Sequence, residues 1–80
     1  MNVEKELREE TLKWLERIEA LKFDGDRRFV ENIRAYISDS HYFLDKGDLV
    51  RAFECVVWAW AWLEIGRDFG FLEVKTDEPV

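Results

Sequence analysis

The chain of 80 residues is long enough for one small domain, and its formal net charge of −6 makes its surface a poor partner for nucleic acid and for anionic membranes. A single cysteine excludes an internal disulfide, and no uninterrupted apolar stretch is long enough to span a membrane. The N-terminus is charged and lacks the apolar segment of a signal peptide, so we expect a cytoplasmic protein.

The first predicted helix covers residues 3–22. One apolar stripe runs along it at steps of three and four residues, and charged side chains form the remaining, solvated face. The stripe consists of Leu7, Thr11, Trp14, Ile18 and Leu21. Gly25 is expected to close this helix in the left-handed conformation, and Asp26 is expected to cap the next one.

The second predicted helix covers residues 26–46 and again has one buried stripe. Its apolar members are Phe29, Val30, Ile33, Tyr36, Ile37, Phe43 and Leu44. Ser40 is a small polar residue within this stripe. We expect its hydroxyl to donate to a carbonyl of its own helix, as buried serines in helices often do.

The third predicted helix covers residues 48–70 and is too apolar for an ordinary surface helix. Gly47 ends the second helix, and Asp48 caps the third at once, so the two should run antiparallel. Gly70 suits the position just past the end of the third helix. One side has the pattern of a core face, formed by Leu49, Ala52, Phe53, Val56, Ala59, Trp60 and Leu63.

A second apolar stripe follows the other side of the third helix. It is formed by Trp58, Trp62, Ile65 and Phe69, which we call the apolar ridge. Two stripes on one helix indicate burial on two sides. Either the first helix and the C-terminal tail cover the ridge, or a partner does, because monomers rarely expose so large an apolar patch.

The predicted fold is therefore all-α, a three-helix up-down-up bundle with a short C-terminal tail. Residues 1–74 form the single domain. Residues 71–74 are expected to fold back by an apolar contact at the end of the third helix, and residues 75–80 to fray.

Few residues suggest chemistry. Arg34 and His41 lie two helical turns apart, and this spacing resembles the catalytic motif of helical ribonuclease toxins of the HEPN type, in which the two residues act at a scissile phosphate. Alanine follows Arg34 here, and the acidic surface opposes RNA binding. One histidine and one distant cysteine cannot make a zinc site, so we expect no metal and no cofactor.

The segments 35–39, 42–54 and 57–64 resemble the archaeal domain-of-unknown-function family 357. The distinctive feature is an aromatic-rich helix that follows a Lys-Gly-Asp turn. This resemblance implies a small cytoplasmic three-helix bundle and implies no activity. The hairpin from Leu44 to Ala52 is also similar to single units of helical repeat proteins, which bind peptides.

The leading hypothesis is a non-enzymatic interaction module that forms a homodimer through the apolar ridge. The alternative is an adaptor that uses the ridge to bind a different protein or peptide. A ribonuclease-like enzyme that uses Arg34 and His41 is the remote third possibility. The charged fraction of 38% and the absence of glutamine are typical of heat-adapted proteins.

Overall fold

A computed structural model describes residues 2–76 of the protein. The chain forms helix α1 (Val3–Glu19), strand β1 (Leu21–Gly25), helix α2 (Arg27–Asp45), helix α3 (Leu49–Asp68) and strand β2 (Leu72–Thr76). The three predicted helices are confirmed. They make the protein mainly helical, and each ends one to three residues earlier than predicted.

The prediction of a purely all-α fold is wrong, because β1 and β2 form a two-stranded antiparallel sheet. Leu21 pairs with Thr76 at one end of the sheet, and Gly25 pairs with Leu72 at the other. Both strands alternate more buried and more exposed side chains, which is the pattern of a half-buried strand. The pairing of the two strands holds these segments in an extended conformation beyond the ends of α1 and α3.

The sheet also corrects the predicted tail. Residues 75 and 76, which are predicted to fray, belong to β2, and residues 77–80 lie outside the described residues. Leu72 is buried, so the expected apolar contact of the tail is present as the start of a strand.

The predicted N-terminal caps are confirmed. A carboxylate oxygen of Asp26 accepts the backbone N–H groups of Arg28 at 2.9 Å and Phe29 at 3.4 Å. Asp48 accepts the backbone N–H of Arg51 at 3.1 Å, and its second oxygen accepts the Arg51 guanidinium at 2.6 Å. The bonds from Arg51 hold the pKa of Asp48 below its usual value. These caps satisfy N–H groups that a helix leaves free at its first turn.

Glycine ends α2 and α3, as predicted, but not α1. Gly47 and Gly70 have φ values of 76° and 81°. At the end of α3, the N–H of Phe71 donates to the Gly66 carbonyl at 2.7 Å and that of Gly70 to the Arg67 carbonyl at 3.3 Å, which is a Schellman motif. The end of α2 shows the same pair of bonds. The C-cap residue of α1 is Ala20, which has a right-handed conformation, while Gly25 lies in β1.

The core lies along α3, which packs against both α1 and α2. The molecule is flat and measures 40 × 29 × 18 Å. The core face predicted for α3 is confirmed. One cluster of buried residues contains Leu15, Leu44, Leu49, Ala52 and Val56. The other contains Ile18, Ile33, Ala59, Leu63 and Leu72, so β2 contributes to the core.

Ser40 corrects a further prediction. Its hydroxyl is fully buried and donates to the carbonyl of Ala52 in α3 at 2.7 Å, not to a carbonyl of its own helix. Thr11 makes a bond of the kind expected for Ser40, because its hydroxyl donates to the Leu7 carbonyl of its own helix, α1, at 2.8 Å. Ser40 therefore ties α2 to α3 at a close approach of the two helices.

We expect Ser40→Ala to lower the free energy of unfolding by about 1 kcal/mol, the net contribution of one buried hydrogen bond. Urea unfolding measures this change. Ser38→Ala is the matched control, because Ser38 is exposed on the same helix and reports the helix propensity of alanine alone. Equal midpoints for the two variants would mean that the bond to Ala52 contributes nothing.

Candidate interaction surface

The apolar ridge lies on the solvent side of α3. Trp58, Ile65 and Phe69 are 54%, 51% and 75% exposed, and Trp62 is half-buried. The four residues follow one another at steps of four, three and four along the helix, so their side chains share one face.

Aromatic residues of α2 border the ridge and fix its orientation. The rings of Tyr36 and Trp58 stack, with centroids 6.1 Å apart and an interplanar angle of 17°. Phe29 meets Trp62 edge to face at 4.9 Å. These contacts place the start of α2 beside the end of α3, so the two helices run antiparallel. They also hold both tryptophans in defined positions while leaving Trp58 half in solvent.

The segment after α3 extends the apolar surface and does not cover the ridge. Phe71 stacks on Phe29 at 4.9 Å with an interplanar angle of 9°, and Phe71 remains 46% exposed. Gly66 permits this arrangement, because a Cβ atom there would lie 2.6 Å from Leu72 and 2.9 Å from Phe29.

The first helix packs on another side of α3. The indole N–H of Trp60 donates to the Trp14 carbonyl at 3.1 Å, and the two rings meet edge to face at 5.7 Å. Trp14 and Trp60 therefore belong to the core, as predicted. The sequence left two segments of the chain that could cover the ridge, the first helix and the C-terminal tail. In the structure, α1 lies away from the ridge, and β2 lies at its edge.

Arg51 and Cys55 continue the line of the ridge toward the start of α3. The Arg51 guanidinium is exposed and held by Asp48. Cys55 is half-buried, and burial, followed by the negative charges of Asp39 and Glu54, raises the pKa of its thiol. A raised pKa lowers the thiolate fraction at neutral pH, so Cys55 lacks the environment of a catalytic cysteine.

A shallow apolar groove of about 300 Å³ lies between α1 and α3. Its walls are formed by Trp14, Phe53, Val56, Val57, Trp60, Ala61 and Glu64. The groove could not be predicted from the sequence, because its shape depends on the packing of α1 against α3.

Arg34 and His41 have different partners in the structure. The Nε2 atom of His41 lies 2.7 Å from the Glu19 carboxylate of α1. The Arg34 guanidinium lies 5.9 Å from the centre of the Phe23 ring in β1. A role of this pair at a phosphate stays a prediction. Within residues 2–76, no three His, Cys, Asp or Glu side chains are grouped as metal ligands. In the same part of the chain, each helix is too short or too polar to cross a membrane.

The chain is similar to a known protein family over most of its length. The profile of a family described as "Protein of unknown function (DUF357)" matches residues 3–72. The chain belongs to this family. The resemblance found in the sequence is therefore confirmed, and the match runs from the start of α1 to the first residue of β2.

A crystal structure of another DUF357 protein, AF1782 from Archaeoglobus fulgidus, is similar to this one. The two share 65% sequence identity and superpose with a TM-score of 0.86, over 92% of this chain and 100% of AF1782. That relative is archaeal, as the resemblance implied. No curated protein matches this DUF357 chain.

Proposed function

We propose that this DUF357 protein is a non-enzymatic, cytoplasmic interaction module that self-associates as a dimer through the apolar ridge. Its scaffold is an up-down-up bundle, with α3 between the other two helices. The observation that carries the proposal is the exposure of Trp58, Ile65 and Phe69 on one face of a helix whose opposite face is core.

The size of the surface is sufficient for an interface between two copies. From the usual areas of such side chains, the exposed part of the ridge and Phe71 leaves on the order of 400 Å² of apolar surface in solvent. A standard interface buries about 800 Å² per partner, somewhat more than half of it apolar. The ridge therefore supplies the apolar part of one interface of ordinary size.

The chemistry of the surface supports a protein partner. Tryptophan is enriched among the residues that dominate binding energies, and Trp58 is already oriented by its stack on Tyr36. A side chain that is ordered before binding loses less entropy when the partner arrives.

Molar mass by light scattering tests the proposal. We expect the wild-type chain, whose mass is 9.6 kDa, to scatter as a dimer. Trp58→Glu/Ile65→Glu should scatter as a monomer, because two charges in an apolar contact raise the dissociation constant by at least ~100-fold. Both residues are about half exposed, so the variant should keep its fold, whereas Trp62 packs against Phe29 and is left unchanged.

Leu12→Glu is the matched control. Leu12 is 46% exposed on α1, away from the ridge, so its replacement should leave the dimer intact. Circular dichroism of each variant confirms that the helices are retained. A wild-type monomer at ~100 μM, the range of a weak interface, would refute self-association and favour the adaptor that binds a different protein. A dimer that survives Trp58→Glu/Ile65→Glu would place the contact elsewhere.

A further inference from the structure

We infer that the two copies pair with their α3 helices antiparallel, in a register that sets Trp58 of each copy against Trp62 of the other. This inference rests on the proposed self-association and adds the orientation and the contacts. It follows from the spacing of the ridge, from the position of one charge, and from the match between residues at the two ends.

The line of the ridge has the spacing of a helix–helix seam. From Arg51, the next residues on this face are Cys55, Trp58, Trp62, Ile65 and Phe69. The steps alternate between four and three residues, which is the repeat by which two helices keep one face in contact over their length. The core face of α3 is already occupied by α1 and α2, so this second repeat is available for another helix.

Arg51 favours the antiparallel orientation. In a parallel pair, each residue of the seam meets its own copy, and the two Arg51 guanidinium groups would face each other at one end of an apolar contact. Like charges that lose water in this way destabilise an interface. Each guanidinium is already paired with the carboxylate of Asp48, so the cost is that of removing water from two adjacent ion pairs and not from two unpaired cations.

The antiparallel pair keeps the two Arg51–Asp48 ion pairs apart and adds an attraction. Arg51 then lies at the C-terminal end of the other α3, where the carbonyl groups carry partial negative charge. It also meets the ring of Phe69, which is 75% exposed, at a position suited to a cation–π contact. One charge at the start of the ridge and one ring at its end are therefore complementary in two copies related by a two-fold axis.

The same register aligns the remaining positions. With the axis beside residue 60, Trp58 meets Trp62 of the second copy, and Cys55 meets Ile65 of the second copy. All contacts near the centre are then apolar, and the tryptophans lie at the centre of the interface, away from water. Hot-spot residues concentrate at the centre of natural interfaces in the same way.

Thiol cross-linking tests the register with the native cysteine. Three proteins are compared: wild type, with only Cys55; Cys55→Ser/Ile65→Cys, with only the new thiol; and Ile65→Cys, with both. Each is treated with a short bis-maleimide near neutral pH, where maleimides select thiols over amines, and for long enough that Cys55 reacts in spite of the raised pKa of its thiol. Gel electrophoresis and peptide mapping then identify the link.

We expect a covalent dimer as the main product of Ile65→Cys, linked between positions 55 and 65, and only background dimer in the two single-thiol proteins. Comparable cross-linking in all three would establish a parallel pair and overturn the inference, although self-association would stand. Light scattering on the same samples separates the two failures. A dimer that yields no cross-link in Ile65→Cys would refute the register, and a monomeric wild type would refute the proposed function itself.

Discussion

Leu63→Ala is expected to lower the free energy of unfolding by about 3 kcal/mol. Leu63 is fully buried in the cluster that joins α1, α2 and β2 to α3. Removing its three outer carbon atoms loses their transfer free energy and leaves a cavity lined by Ile18, Ile33 and Leu72, which cannot close without moving three elements. A chain of this length has a total stability of roughly 4–12 kcal/mol, so this one change removes a large fraction of it.

Urea unfolding at two protein concentrations measures the effect and separates folding from association. Leu12→Ala is the matched control, since it removes the same atoms from a side chain that is 46% exposed. We expect the control to cost less than about 1 kcal/mol. If both variants unfolded at the same urea concentration, Leu63 would not belong to a close-packed core.

Gly25→Ala is expected to destabilise the protein by about 2–3 kcal/mol. The φ of Gly25 is 141°, and a Cβ atom there would overlap the carbonyl oxygen of Phe71. That oxygen accepts the N–H of Asp26 at 2.9 Å, so a displaced backbone would weaken this bond and the pairing of β1 with β2. The neighbour is backbone and cannot rotate away as a side chain would.

Gly47→Ala is the control for this variant. Gly47 also has a positive φ, of 76°, but among the described residues no atom outside Gly47 and its two neighbours in the chain lies within 4 Å of the position of its Cβ. It should cost only the ~1 kcal/mol of a left-handed alanine. Thermal unfolding of the two variants measures the difference, and a larger loss for Gly47→Ala would contradict the close approach assigned to Gly25.

The helices could be predicted from the sequence because their signals are local. Asp26 and Asp48 lie directly before the helices that they cap, and Gly47 and Gly70 lie directly after the helices that they close. The two apolar stripes of α3 follow from its spacing alone, and the core stripe proved to be buried. The family resemblance depended on the same region.

The sheet could not be predicted in this way, because each strand has only five residues and the two strands are separated in the sequence by α2 and α3. Leu21 continued the helical pattern of α1, so its alternation with Phe23 was not decisive. The bond of Ser40 was missed for the same reason, since its acceptor belongs to another helix.

The candidate surface was predicted in part. The four ridge residues lie on one helix and could be grouped from sequence, whereas Tyr36, Phe29 and Phe71 join the surface only through packing. Phe29 and Tyr36 belong to the predicted buried stripe of α2, and in the structure both are half-buried, at the border between core and surface. Exposure of the ridge itself depends on where α1 packs, and no local pattern encodes that position.

The pairing of β1 with β2 has a consequence for the order in which the chain folds. The α2–α3 hairpin joins neighbouring segments through a tight turn, and such local contacts form quickly. The two strands, in contrast, are separated in the chain by the whole hairpin. Bringing them together costs conformational entropy, and the cost is smaller once the hairpin has formed. The two strands are therefore expected to pair late in folding. They join the end of α1 to the end of α3, and they can open without melting the hairpin, while Leu15 and Ile18 keep α1 packed on the core.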